Sequence, residues 1–219
     1  MMKFLIAITV FAVSSVSHAT LVSISPCDGP NSCTITTSPP DPVTENPNDG
    51  VLLAWDELQN FTLTEALRVD RVFDDTVDFI LADGGDFLIE AGTVVSSHYL
   101  QWDPGQGSAE TVTATINLDS QVFAFITADQ NLFDSDYLGL PGLDYNDFTL
   151  RGLESGDETT FNGANTNISW TASSPGDWTR LITAFSPGGD EDNTAVPVPG
   201  TFVLLGLGLA GLGWKRRSS

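Results

Sequence analysis

The chain has 219 residues and a formal net charge of −21, from 29 acidic residues against eight basic ones. Nucleic-acid-binding proteins concentrate Lys and Arg to neutralise phosphates, so this composition excludes a nucleic-acid partner. Hydrophobic residues make up 41% of the chain and charged residues 17%, which excludes a fully disordered chain and allows a buried core.

Residues 1–19 have the pattern of a secretory signal peptide. Lys3 precedes an apolar run at residues 4–13, and small residues stand before a cut after Ala19. The run is too short for a permanent membrane anchor. We therefore predict export and a mature protein that starts at Thr20, the alternative being a first core strand or helix.

Cys27 and Cys33 are the only cysteines in the sequence. Two cysteines in a turn-rich segment of an exported protein indicate a disulfide. Because the ring is short, we expect the bond to stabilise its own loop more than the fold. Residues 38–50 are rich in Pro, Asn, Asp and Thr. We therefore predict that residues 20–50 form a disulfide loop and a Pro-rich linker.

Residues 51–190 contain short β-rich runs separated by Gly, Pro, Asp and Ser. In the clearest, 111–118, apolar residues alternate with Thr and Asn, as in a strand with one buried face. The nearest helix candidate, 57–67, lacks good caps. The pattern predicts an all-β domain, an antiparallel β-sandwich of the jelly-roll or immunoglobulin-like kind. The other runs lie at 51–55, 60–64, 91–99, 122–127, 148–150, 167–171 and 180–185.

The acidic loops suggest a calcium site. Calcium prefers several oxygen ligands, and weak sites are filled outside the cell. No acidic run matches the EF-hand loop, but Gly139, Pro141 and Gly142 would let the backbone turn between residues 134 and 147. A plain solvated loop is the alternative, and no other cofactor is predicted. The predicted calcium ligands are Asp134, Asp136, Asp144 and Asp147.

No catalytic residue is predicted. His98 is the only histidine after the predicted signal peptide and lacks a Gly-x-Ser-x-Gly motif around it, so we expect a hydrogen-bonded structural role. A glycoside hydrolase needs two carboxylates at a set separation in a cleft, which the sequence alone does not place. Four tryptophans are expected in the core rather than on a sugar-stacking surface: Trp55, Trp102, Trp170 and Trp178.

The C-terminal region combines a Pro-containing motif, an apolar segment and a basic cluster. Residues 195–214 are 20 uncharged residues, and about 20 helical residues cross a hydrocarbon core of roughly 30 Å. We predict a linker at 191–200 and a transmembrane tail at 201–219, with the basic cluster cytoplasmic. The motif consists of Val196, Pro197, Val198, Pro199, Gly200 and Thr201, and the cluster of Lys215, Arg216 and Arg217.

This tail resembles the PEP-CTERM sorting signal of Gram-negative bacteria, which has a Pro-Glu-Pro-like motif, a Gly/Leu-rich span and an Arg cluster. Val198 replaces the middle Glu, and Gly200 and Thr201 stand where Ser-Thr or Ala-Thr is common. The resemblance implies processing by an exosortase in the inner membrane. It also implies association with exopolysaccharide, which exosortase systems usually accompany. An ordinary single-pass anchor is the alternative.

These features together predict an exported, non-enzymatic protein of the cell envelope or extracellular matrix. The chain would pass through an inner-membrane intermediate, held by its C-terminal helix, and would associate with exopolysaccharide or biofilm. The alternative is a secreted carbohydrate-binding or glycoside-cleaving protein with the same sorting signal.

Overall fold

The computed structural model describes residues 21–29, 31–107, 109–146 and 150–186. The regular secondary structure in this part of the chain is almost entirely β-strand, which confirms the all-β prediction. The strands are β1 Leu21–Asp28, β2 Ser32–Ile35, β3 Val51–Asp56, β4 Phe61–Thr62, β5 Leu67–Val69, β6 Arg71–Val72, β7 Ile80–Asp83, β8 Asp86–Ile89, β9 Val94–Asp103, β10 Glu110–Leu118, β11 Val122–Ile126, β12 Glu158–Asn162, β13 Asn165–Ala172 and β14 Asp177–Thr183. Helix α1 spans Asp129–Asp134, and a 3-10 helix spans Asp136–Leu138.

The described strands form three sheets. The first has the order β1-β10-β13-β12, and the second has the order β2-β3-β9-β14-β11-β6, with β4 also paired to β9. The third is a small sheet with the order β5-β8-β7. Within the described ranges every strand pairing is antiparallel except that of β2 with β3, which is parallel.

The first and second sheets share one hydrophobic core. Val112 and Ile116 of β10 belong to the same buried cluster as Leu100 and Trp102 of β9. The alternation predicted for β10 is confirmed, since its apolar residues are buried while Thr111 and its polar neighbours are exposed or half-buried. This sheet therefore has one face toward the core and one toward solvent.

The second sheet is also covered on its other face. Trp55, Tyr99 and Trp178 lie there in a second cluster together with residues of the third sheet such as Ile89. As a result, nine of the ten residues of β9 and all seven of β14 are buried. All four tryptophans predicted for the core are fully buried, which confirms that prediction: Trp55, Trp102, Trp170 and Trp178.

Residues 20–50, predicted as a loop and linker, contribute strands to both large sheets. Ile24 of β1 lies opposite Ile116 of β10, and Cys33 of β2 lies opposite Leu52 of β3. The prediction that the β-domain starts at residue 51 is therefore wrong. Buried and exposed residues do not alternate regularly along β1, so its sequence shows no clear period of two. The stretch 36–50 contains no strand, as its prolines predicted.

Cys27 and Cys33 form the predicted disulfide, with their Cα atoms 6.1 Å apart. Cys27 lies in β1 at one edge of the first sheet, and Cys33 lies in β2 at one edge of the second. The bond therefore links the two large sheets, a role that the short ring did not indicate.

Two local predictions differ from the structure. Residues 57–67 contain β4 and the start of β5 rather than a helix. Conversely, the short helix α1 was not predicted, because its six residues are too few to show a helical period. The run predicted at 148–150 falls mostly outside the described residues.

Candidate functional site

Three carboxylates meet where the turn before β12 contacts the start of β14. Glu154 and Asp157 lie in that turn, and Asp177 is the first residue of β14. One carboxylate oxygen from each lies within 4.8 Å of the other two. In the part of the chain that the structure describes, no other three His, Cys, Asp or Glu side chains converge in this way. We call these three residues the acidic cluster.

Backbone groups hold Asp157 in place. Thr171 N–H of β13 donates to Asp157 Oδ1 at 2.7 Å, and Glu154 N–H donates to Asp157 Oδ2 at 2.9 Å. The turn is closed by Asp157 N–H, which donates to the carbonyl of Glu154 at 3.2 Å. Burial raises the pKa of the Asp157 carboxyl above its usual range. Each oxygen keeps a further lone pair for another partner.

Asp177 is fully buried, yet neither of its carboxylate oxygens accepts a hydrogen bond from the described residues. Burial, followed by the neighbouring Glu154 and Asp157, raises the pKa of Asp177 to about 9. When ionised, the carboxylates of Glu154 and Asp177 can only accept hydrogen bonds. A hydrogen bond between these two side chains therefore requires a proton on one of them. Buried polar groups are normally paired, so Asp177 requires an explanation.

The residue before Asp177 lies close to the backbone of β9. Asp177 lies opposite Trp102 of β9, and Gly176 precedes it with φ +96°. A Cβ atom on Gly176 would lie 2.2 Å from the Trp102 carbonyl oxygen. Only glycine fits this approach without displacing backbone.

A groove of about 280 Å³ opens beside the cluster, and Glu154 lines it. One wall is the segment 150–153, where Leu150 and Gly152 N–H donate to the Asp129 carboxylate at 3.1 and 2.7 Å. A water molecule occupies about 30 Å³ of liquid, so the groove holds several. Glu154 therefore connects the buried Asp177 to solvent.

A second polar group, the arginine network, lies inside the core. Arg180 is fully buried and donates to both carboxylate oxygens of Glu57, at 2.6 and 2.8 Å, and to Asp136 at 3.2 Å. Arg151 donates to both oxygens of Asp136, at 2.8 Å each, and to the Tyr99 hydroxyl at 3.0 Å. Burial lowers the pKa of both arginines, but the paired carboxylates raise it above its ordinary value. The charges of the arginine network are paired, which indicates a structural role.

The predicted calcium ligands do not form a site among the described residues. Both carboxylate oxygens of Asp136 accept hydrogen bonds from arginines, and Asp134, Asp136 and Asp144 do not converge as a group. Asp134 accepts a hydrogen bond within α1, and Asp144 accepts one in the following loop. Asp147 lies outside the described residues. The arginine partners of Asp136 are distant in sequence, so no local signal indicated them.

His98 has the hydrogen-bonded structural role that was predicted. Its ring is fully buried, with Nδ1 2.7 Å from Asp56 Oδ1 and Nε2 3.1 Å from Thr183 Oγ1. The arrangement has the partners of a catalytic triad, but Thr183 is fully buried too. A substrate does not reach the hydroxyl in this position, so the group ties β3, β9 and β14 together.

Residues 195–217 match the PEP-CTERM protein-sorting motif. The match includes the predicted motif 196–201 and the basic cluster 215–217, so the resemblance is confirmed. A PEP-CTERM motif implies an exported, envelope-directed protein that an exosortase processes. Comparisons of the chain with curated proteins and with solved structures gave no match.

Several predicted segments lie outside the described residues. They are the signal peptide 1–19 with its cut between Ala19 and Thr20, the linker 191–200 and the transmembrane tail 201–219. Within the described ranges, no helix has the length and apolar character needed to cross a membrane.

Proposed function

We propose that the protein is a non-enzymatic component of the cell envelope or extracellular matrix, delivered by its PEP-CTERM tail and associated with exopolysaccharide. The match at residues 195–217 carries this proposal. In it, the signal peptide 1–19 directs export and the helix 201–219 holds an inner-membrane intermediate. Exosortase then processes the tail, and the β-domain is the part that remains outside.

The use of polar side chains supports a non-enzymatic role. His98, Arg151 and Arg180 are the usual kinds of residue for catalysis or anion binding, but all three are buried and hydrogen-bonded within the fold. They stabilise the junction between strands rather than face a ligand. The two sheets that share a core support the antiparallel β-sandwich, with jelly-roll or immunoglobulin-like topology as the finer prediction.

The surface charge limits how the protein meets an acidic polymer. Four arginines are the only basic residues between residues 28 and 192, and Arg151 and Arg180 are buried. Of the other two, Arg68 pairs with Asp83 and Asp86. The remaining surface is strongly acidic and repels anionic polysaccharide unless divalent cations lie between them. Association with a neutral polymer, or with an acidic one through cations, fits this charge.

A carbohydrate-cleaving protein on the same sorting signal is the second candidate. Glu154 and Asp177 are two carboxyl groups near a groove, and one has a raised pKa, as glycosidases require. Asp177, however, is fully buried and does not face the groove surface where a sugar would lie. This burial favours a binding or structural role over cleavage.

Co-sedimentation with exopolysaccharide tests the proposal. The exported protein is mixed with exopolysaccharide purified from the producing strain, and both sedimentation and new reducing ends are measured. We expect the protein to sediment with the polymer and to release no reducing ends. Protein that stays in the supernatant at every calcium concentration would contradict the association. Reducing ends that disappear in Glu154→Gln would establish the enzymatic alternative.

A further inference from the structure

The unpartnered carboxylate of Asp177 is the starting point. A buried ionised carboxylate is strongly unfavourable unless it is paired, protonated or bound to a metal ion. Burial and the neighbouring Glu154 and Asp157 all disfavour the negative charge of Asp177. Instead of a basic partner, the fold supplies two more carboxylates. This is the reverse of the arginine network, where each carboxylate has a guanidinium.

The positions of the three carboxylates suit a single ion. Their nearest oxygens lie within 4.8 Å of one another. Two oxygens bound to one calcium ion at about 2.3–2.6 Å lie no more than about 5.2 Å apart. Asp157 is fixed by two backbone N–H groups, and Asp177 by the register of β14. Two of the three ligands are therefore already held in place.

We propose that Glu154, Asp157 and Asp177 bind one calcium ion. Asp177 contributes the buried ligand, Asp157 the ligand held by the turn, and Glu154 the solvent-facing one. Water from the adjacent groove completes the coordination. This site differs from the loop 134–147 that the sequence suggested, and the proposal does not depend on the function proposed above.

The ligand chemistry favours calcium over other metals. All three side chains offer oxygen, whereas zinc and copper sites in proteins use His or Cys ligands. Magnesium requires near-ideal octahedral geometry, while calcium accepts six to eight oxygens in irregular arrangements. The ligands proposed here come from a turn, the start of a strand and water in the groove, so their arrangement is irregular. Three carboxylates against one divalent ion also leave only a single net negative charge.

Calorimetry tests the site on the full-length chain purified in detergent and stripped with EDTA. Titration with calcium chloride is expected to show one site with a Kd of about 10⁻⁴–10⁻³ M, the range of extracellular calcium modules. Calcium is also expected to raise Tm. Glu154→Gln changes an exposed ligand without disturbing the core and is expected to weaken binding at least about tenfold, since calcium affinity follows ligand charge.

Glu158→Gln is the matched control, because Glu158 is exposed and four residues away but outside the acidic cluster. It is expected to bind calcium like the wild type. The proposal is overturned by the absence of heat and of a Tm shift, by equal binding in Glu154→Gln and Glu158→Gln, or by loss of binding in Asp134→Asn alone. The first of these results would leave a proton shared between Glu154 and Asp177 as the account of the site.

Discussion

Arg180 and Glu57 form a fully buried, two-pronged ion pair that joins β14 to the residue following β3. Arg180 Nε lies 2.6 Å from Glu57 Oε2, and Nη2 lies 2.8 Å from Oε1. Both side chains have no exposed surface. The remaining guanidinium nitrogen donates to the Ser135 hydroxyl at 2.6 Å and the Leu132 carbonyl at 3.1 Å, which fixes α1 to the sheet.

Breaking this pair should strongly destabilise the fold. Glu57→Gln leaves the buried Arg180 charge with only part of its compensation, and removing one partner of a buried pair costs about 3–5 kcal/mol. We expect a loss of that size in the free energy of unfolding, measured by urea denaturation. Glu65→Gln is the control, because Glu65 is exposed, and it should change stability by less than about 0.5 kcal/mol. Equal effects of the two substitutions would contradict a structural role for the network.

The disulfide should stabilise the fold through the junction of the two sheets. Replacing Cys27 and Cys33 with Ser removes a short ring, which corresponds to about 2 kcal/mol in the chain-entropy model. Hydrogen exchange should then increase in both β1 and β2, because the bond joins their sheets. Faster exchange confined to the turn between the cysteines would show that the bond stabilises only its own loop.

Stability should fall as pH rises when calcium is removed. The folded pKa of Asp177 is raised to about 9, far above the ordinary value, so between about pH 4 and 9 the folded state holds a proton that the unfolded state has released. That contribution is present at low pH and is lost as pH rises toward 9. Urea denaturation in EDTA at several pH values measures it.

Asp177→Asn should flatten this dependence, since an amide does not titrate. Asp157 acts in the same direction, because its pKa is also raised, so some slope should remain. Added calcium should reduce the slope in the wild type by stabilising the ionised carboxylates. Identical slopes in the wild type and Asp177→Asn would show that Asp177 does not titrate as its burial implies.

The glycine before Asp177 should resist substitution. Gly176→Ala places a Cβ atom 2.2 Å from the Trp102 carbonyl oxygen at a positive φ, so the start of β14 must move. Such strain costs about 1–3 kcal/mol, and calcium binding should weaken as well. Gly156→Ala is the control, because a Cβ at Gly156 meets nothing within 4 Å. Thermal unfolding compares the two, and equal Tm values would contradict the close approach.

The sequence predicts a strand most clearly where one face is buried and the other is exposed. β10 has one buried and one exposed face, so its alternation was visible. β9 and β14 are buried on both faces, and their polar residues, such as His98 and Arg180, interrupt any simple period. The apolar pattern of a strand covered on both sides carries no information about which face meets which sheet.

The candidate site depends on contacts that the sequence does not reveal. Asp157 and Asp177 are 20 residues apart, and β12 and β13 lie between them in the chain. In a chain with 29 acidic residues, neither residue stands out from the others. By contrast, the sorting tail is a continuous segment with its own composition, so it was recognised from its residues alone.

The intact mass of the exported protein, with and without the sorting exosortase, tests most directly whether the tail delivers this protein to the envelope. With the enzyme, we expect a protein that starts at Thr20, lacks the tail 201–219 and is recovered from the envelope or medium. Without the enzyme, the same segment should remain, and the protein should stay in the inner membrane. A full-length tail in the inner membrane of both strains would contradict delivery by the tail.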